Sequence, residues 1–327
     1  MINYGAFLDS YYAYDSNQPQ VSRAYTTQPV KHNKPSINLA HLEMRIQTEK
    51  IRSRIALQAG DSVERNAALE PGKEKYIQEA YLGTKMGEKT WVDAGIFLGN
   101  IGAESWISKD NWTYTRSLNS DYVPYYSAGI RIEHQLDQKQ SFQLQVINGW
   151  QNVSENNSAK AVGMQYKNSL SDTLTFTYNN FLGDEKVLGE NSRFRVYHNF
   201  ILQWKASNSW QYLYVFDVGH QSQQQNDGVD SLFVTSFTAR KVFNPIQSMA
   251  YRVEYYNDRH KTNVAVQSTK GFQVAGASIN FDQFIFERML WRTELRGFYS
   301  EDKIYPKHDE TKNRLDGVIA SSVSVWF

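Results

Sequence analysis

Apolar and polar residues alternate with a period of two along most of the chain, the pattern of strands with two chemically distinct faces. In 39–47, Ala40, Leu42, Met44 and Ile46 share one face and His41, Glu43, Arg45 and Gln47 the other. In 127–136, Ala128, Ile130 and Ile132 oppose Arg131 and Glu133; in 141–147, Phe142, Leu144 and Val146 oppose Gln143 and Gln145. The segment 194–204 sets Phe194, Val196, Phe200, Leu202 and Trp204 against Arg195, Asn199 and Gln203. In 249–256, Met249, Tyr251, Val253 and Tyr255 oppose Arg252 and Glu254; in 289–297, Met289, Trp291 and Leu295 oppose Arg292, Glu294 and Arg296. No segment carries a convincing amphipathic-helix pattern.

The connections alternate in length. Short turns are predicted near 48–50, 86–90, 137–140, 168–172, 205–209, 243–247 and 282–286, several with turn formers such as Met86-Gly87 and Asn244-Pro245. Longer polar segments fall near 15–36, 60–74, 100–124, 151–158, 183–192, 221–230, 259–270 and 300–313. Seven short turns and eight long loops separate 16 strands. An even strand number with turns short at one end and long at the other is the signature of an outer-membrane barrel. The prediction is therefore an all-β fold in which residues 1–327 form one transmembrane antiparallel barrel of about 16 strands, with 14 or 18 as the alternatives.

Composition supports this reading. The mean hydropathy is −0.59, and no apolar run approaches the roughly 20 residues a spanning helix needs. Barrel strands average out to polar, and the 21 Tyr, 17 Phe and 8 Trp suit the aromatic girdles at both membrane interfaces. A soluble sandwich gives no reason for charged faces to recur so regularly opposite aromatic ones, and a propeller needs repeats that the sequence lacks. With no Cys, disulfides, thiolate metal sites and Cys nucleophiles are excluded. A net charge of +1 gives nucleic acid no footprint. The opening Met1-Ile2-Asn3-Tyr4 is already strand-like, so the numbering is read as mature, with a start Met in place of a removed secretion signal. The end, Val323-Ser324-Val325-Trp326-Phe327, is an alternating strand with an aromatic terminus. It resembles the terminal signal read by barrel-assembly machinery.

The segment 78–150 carries a more specific likeness. Gln78-Glu79-Ala80-Tyr81 is followed by Asp93-Ala94-Gly95, then Ile101-Gly102 and Glu104, then the run Asp110 to Ser117. Pro124-Tyr125-Tyr126, Gly129, Arg131 and Asn148-Gly149-Trp150 complete the block, with Tyr11, Tyr12, Tyr14 and Asn38-Leu39-Ala40 upstream. This block resembles the OmpL-like β-barrel porin family of Gram-negative outer membranes. The resemblance implies a porin without naming a solute.

Two groups of residues are candidates for function. The first is the loop 101–124, with Glu104, Trp106, Asp110, Trp112, Tyr114 and Arg116. Its aromatic content argues against disorder, and long ordered loops are usually functional. It is expected to fold into the lumen as a constriction; the alternative is packing over the outer rim. The second is a pore lining of Arg45, Arg52, Arg54, Arg131, Glu133, Arg195, Arg252, Glu254, Arg292, Glu294 and Arg296. With Arg240 added, nine inward Arg stand against seven inward acids (Glu43, Glu79, Asp93, Glu133, Asp217, Glu254 and Glu294) and predict a small positive surplus facing an acidic loop, and hence a weakly anion-selective channel for ions and small hydrophilic solutes. A channel specific for a sugar or organic acid is the alternative, and an outer-membrane enzyme or a structural or adhesive barrel the second. No Gly-x-Ser-x-Gly elbow and no zinc spacing among the seven His favour an enzyme, so neither cofactor nor metal is expected. The expected surroundings are outer-membrane lipid and lipopolysaccharide, the assembly machinery engaged through Phe327, and two further copies in a homotrimer.

Overall fold

The computed structural model describes residues 1–155, 157–186, 191–223 and 228–327. The central parts of the predicted loops 183–192 and 221–230, and Asn156 within 151–158, lie outside the described residues. The barrel strands are β1 (Ile2–Asp15), β2 (Ser36–Gln47), β3 (Ile51–Ala59), β4 (Ile77–Lys85), β5 (Thr90–Leu98) and β6 (Tyr126–Gln135). They continue as β7 (Gln140–Ile147), β8 (Ala161–Ser169), β9 (Leu174–Asp184), β10 (Phe194–Trp204) and β11 (Trp210–Ser222). The last are β12 (Val229–Asn244), β13 (Gln247–Asp258), β14 (Phe272–Phe286), β15 (Met289–Ser300) and β16 (Leu315–Trp326).

Each strand pairs with its neighbours in the chain, and β16 closes antiparallel on β1 with Phe7 opposite Trp326. Closure leaves no open strand edge, the condition for a β-structure in hydrocarbon. The alternation predicts the faces. Leu42, Ile130, Ile132, Leu144, Phe200, Val253 and Trp291 point outward, while Arg131, Gln143, Arg252 and Arg292 point inward. Trp204, Phe243, Phe286 and Trp291 stand outward near the short-turn end; Tyr12, Tyr14, Phe233 and Tyr299 do so near the other.

Three local features depart from simple alternation. A bulge between Asp9 and Ser10 turns both Asn38 and Leu39 of β2 inside, and one between Ala56 and Leu57 buries both Gln78 and Glu79 of β4. The last short turn is not at 282–286. β14 runs on to Phe286 and reverses at Glu287-Arg288, because Phe281, Gln283 and Ile285 continue the outward face without a turn former. Gly95 of β5 has φ +134°, and a Cβ there would stand 2.2 Å from the Ala80 carbonyl oxygen, so only glycine fits this position. Among the described residues the α-helices α1 (Asp61–Asn66) and α2 (Leu118–Asp121) are short and lie in loops.

Candidate functional site: the lumen

The loop between β5 and β6 leaves the wall and crosses the inside of the barrel. At its start an amide ladder holds it: Gln145 donates to Asn100 Oδ1 (2.6 Å), Asn100 donates to the Met164 carbonyl (3.0 Å), and Gly102 N donates to Asn199 (3.3 Å). Beyond Gly102 the chain reaches the opposite wall. Ser108 donates to Asp9 on β1 (2.9 Å), and the Tyr114 amide donates to Asn280 on β14 (3.1 Å).

The inward Arg and Glu of β13 and β15 form the strip on which this loop docks. Arg252 donates to Thr113 Oγ1 and the Thr115 carbonyl at 2.8 Å each, and to Thr115 Oγ1 at 2.6 Å. Glu294 accepts the Thr115 amide (2.7 Å), and Glu254 accepts that of Leu118 (2.6 Å). Arg292 pairs with Asp282 (2.7 Å) and donates to the carbonyls of Ser108 and Asn111; Arg296 pairs with Glu254 (2.7 Å). The physical reason is backbone satisfaction. Irregular chain at membrane depth must find partners for its amides and carbonyls, and alternating guanidinium and carboxylate groups supply both kinds. Arg116 of the loop lies 3.6 Å from Asp121, donates to Thr27 (2.8 Å), and stacks its guanidinium 3.8 Å from the Tyr125 ring centre. Trp106 meets the Tyr125 ring edge-on. Tyr114 is fully buried, Trp112 is half-buried, and Glu104 accepts from the Ser117 amide (2.7 Å). Lys109 pairs with the exposed Asp110 (2.6 Å).

Other loops join it inside. Ile101, Leu118 and Val123 pack with Val264 and Val266 of 259–271 and with Ile304 and Tyr305 of 301–314. Tyr25 of 16–35 contacts Phe272, and Trp150 of 148–160 lies against Phe181 and Tyr197. The inward wall of this half is itself apolar, with Phe97, Ile147, Leu232, Val234, Tyr256, Val274 and Phe298. Every strand contributes at least one shielded inward side chain, from Tyr11 on β1 through Phe97, Phe181 and Tyr256 to Val318 on β16. The long-loop half of the barrel thus encloses a hydrophobic core, stabilised as in a water-soluble domain.

The short-turn half is different. Arg45 keeps 53% of its side-chain surface exposed and Glu133 35%. Arg52 bridges Asp93 and Glu133, Arg131 shares Asp93, and Arg54 bridges Glu43 and Glu79. These groups surround a wet vestibule with two recesses. One of about 580 Å³ is lined by Arg52, Lys85, Trp91, Gln143 and Lys167; the other, of about 350 Å³, lies beneath residues 105–110.

The candidate pore-lining residues therefore divide. Arg45, Arg52, Arg54, Arg131 and Glu133 border the vestibule. Arg252, Glu254, Arg292, Glu294 and Arg296 face inward but are shut from water by the docked loop. Arg195 is also enclosed, donating to Gln221 (2.7 Å) and the Thr262 carbonyl (3.0 Å). The expected positive surplus does not survive. Asp9, Asp15, Asp258, Asp282 and Asp316 are five further buried inward acids on strands, lifting the count from seven to twelve against nine Arg. The arginines expected to face the acidic loop are in direct contact with it, because the loop sits on them. Sequence reasoning also missed Arg23, which reaches from the first loop to Asp15 (2.6 Å) and Asp316 (2.7 Å). A lone Arg in a polar loop carries no periodic signal. Among the described residues no His, Asp and Glu group has the spacing of a metal site, and His198 faces outward with its Nδ1 2.7 Å from the Tyr178 hydroxyl.

No curated protein matches the sequence. Among solved structures, the chain is similar to an anion-selective porin from Comamonas acidovorans, with a TM-score of 0.67 and 8% identity over 100% of this chain and 99% of that one. It is similar to outer-membrane expressed OmpT of Vibrio cholerae, with a TM-score of 0.66 and 9% identity over 100% and 97%. It is also similar to Salmonella typhi OmpF solved with daunomycin, with a TM-score of 0.62 and 13% identity over 100% and 97%. At these identities the likeness is one of fold. The model of the family described as "Putative beta-barrel porin-2, OmpL-like" matches residues 1–325, and with the closed sixteen-strand barrel around an inward loop it places the chain in the OmpL-like β-barrel porins of the bacterial outer membrane.

Proposed function

We propose that this porin is a gated diffusion channel for ions and small hydrophilic solutes, weakly anion-selective, in which the loop between β5 and β6 acts as the constriction. The observation that carries the reading is the division of the lumen into a wet, charged vestibule and a packed half held by loops. The loops are joined to the wall by hydrogen bonds and apolar contacts, so their displacement opens a path without breaking the barrel. The weak anion preference rests on the vestibule. Glu43, Asp93 and Glu133 are each paired with Arg, whereas Lys85, Lys89 and Lys167 and the single carboxylate Glu88 line the larger recess without an ion pair among the described residues, a balance of three cations to one anion. The trimer form of Vibrio cholerae OmpT among the similar structures supports a homotrimer for this chain. Swelling of proteoliposomes in isotonic solutes tests the channel reading. Entry of small sugars and amino acids, faster than in protein-free vesicles and slowing with solute size, is expected; swelling no faster than in empty vesicles contradicts it.

A further inference from the structure

The recess beneath residues 105–110 has the chemistry of a binding site. It lies at the short-turn end between this loop and strands β1, β2 and β16, and its volume of about 350 Å³ is at the small end of the range for ligand pockets. Its charges are already satisfied by one another. Arg45 pairs with Glu43 (3.0 Å), Arg54 with Glu43 (2.5 Å), and Lys109 with Asp110 (2.6 Å). A free ion gains little from groups so neutralised.

Among the described residues, the side chains lining it that remain without a partner are uncharged. The indole N–H of Trp106 and Nε2 of His41 belong to buried side chains lining the recess; the first has no hydrogen-bond partner among the described residues, and the second has only the Gln78 side chain nearby. Buried polar atoms without a protein partner are satisfied by water or by a ligand, and these line a cavity that can hold either. Phe7 and Trp326 add aromatic surface beside them. The combination is neutral donors, ion pairs with spare hydrogen-bonding capacity, and aromatic rings. It suits a ligand that both donates and accepts at many points and offers C–H faces to rings.

We infer that this recess binds a neutral saccharide of one or two rings, and that the porin selects such a solute on its way through the vestibule. Because the recess opens inside the barrel at the short-turn end, its ligand is a free solute and not the sugar of an outer-leaflet lipid. The inference rests on the channel reading for its transport meaning, but the site itself is tested by binding alone.

The test is calorimetric titration of the full chain in a zwitterionic detergent without a sugar headgroup. Glucose, maltose and sucrose are the saccharide probes; citrate and glutamate are the anionic and zwitterionic ones. A saturable heat is expected from at least one saccharide. It should weaken about five- to tenfold in Trp106→Phe, which keeps a ring and removes the N–H. Arg45→Gln, at the exposed rim, should weaken it comparably and decides the matter if the first variant fails to fold. No saturable heat from any of the three saccharides overturns the inference. So does saccharide binding unchanged in the folded variants, or binding of citrate or glutamate alone. A protein that binds saccharide and passes no solute defeats the channel reading only; one that conducts and binds no saccharide defeats this inference only.

Discussion

Replacing Arg252 with Met should unlatch the loop. Met fills much of the same space, so the barrel wall stays packed. The loss is polar: the guanidinium makes three hydrogen bonds to Thr113 and Thr115 and one to Glu294 at 3.1 Å. Glu294 then remains buried beside the loop without this cation. Removing one partner of a buried pair costs about 3–5 kcal/mol. Most of that cost falls on the docked state, because an undocked loop lets water reach Glu294 and the threonines. At about 1.4 kcal/mol per factor of ten, the undocked population should grow roughly a hundred- to several-thousand-fold. Single-channel recording in planar bilayers reads this as open probability. An unchanged open probability, in protein whose gel mobility still shows the heat-sensitive shift of a folded barrel, would mean that Arg252 does not hold the loop in place.

Three further outcomes are expected. Changing Lys85 and Lys167 together to Glu moves the vestibule by four charges and should reverse the weak anion preference, read as the sign of the reversal potential in a KCl gradient; an unmoved potential means that ions bypass these positions. Burial, helped by Arg23 and His308, holds the pKa of His32 below its usual value, and the neutral ring accepts the Asp15 amide through Nδ1 at 3.0 Å. The native state disfavours protonation there, so this support for 16–35 is present above the unfolded pKa of about 6.5 and lost as pH falls below it; hydrogen exchange should speed up in that segment on acidification, and His32→Gln should flatten the response. Deleting Phe327 removes the two closing bonds it shares with Ala6 and should delay appearance of the folded band in pulse-labelled cells, whereas a normal rate counts against a role in assembly.

The barrel was legible because lipid on one side and polar chemistry on the other force a period of two, and because alternating loop lengths count the strands. The length and aromatic content of 101–124 marked it as an ordered loop. The function of the inner charges was not legible. Arg252, Glu254, Arg292 and Glu294 have the spacing of a lumen face whether water or a loop covers them, and only tertiary contacts distinguish the two. The inward Asp9, Asp15 and Asp316 give no periodic signal because they lie among Tyr, Ala and Val on strands whose inner face is largely apolar. That face is apolar because it packs against loops, a demand that local periodicity does not record. Asn199 and Gln145 followed the polar alternation, but amides gave no sign that they would hold the start of a loop.

In the proposed function the loop between β5 and β6, lying inside the barrel, is the barrier to solutes. The natural absence of cysteine makes a tether clean to test. Asp9 on β1 and Ser108 in the loop touch through a 2.9 Å hydrogen bond, so Asp9→Cys with Ser108→Cys should oxidise to an intramolecular disulfide. The oxidised protein should stay closed in planar bilayers, and reduction should open it, since the pair has lost its polar contact. Failure of the bond to form would contradict the position of the loop. Equal conductance before and after reduction, with the disulfide verified by mass, would contradict its role as the barrier.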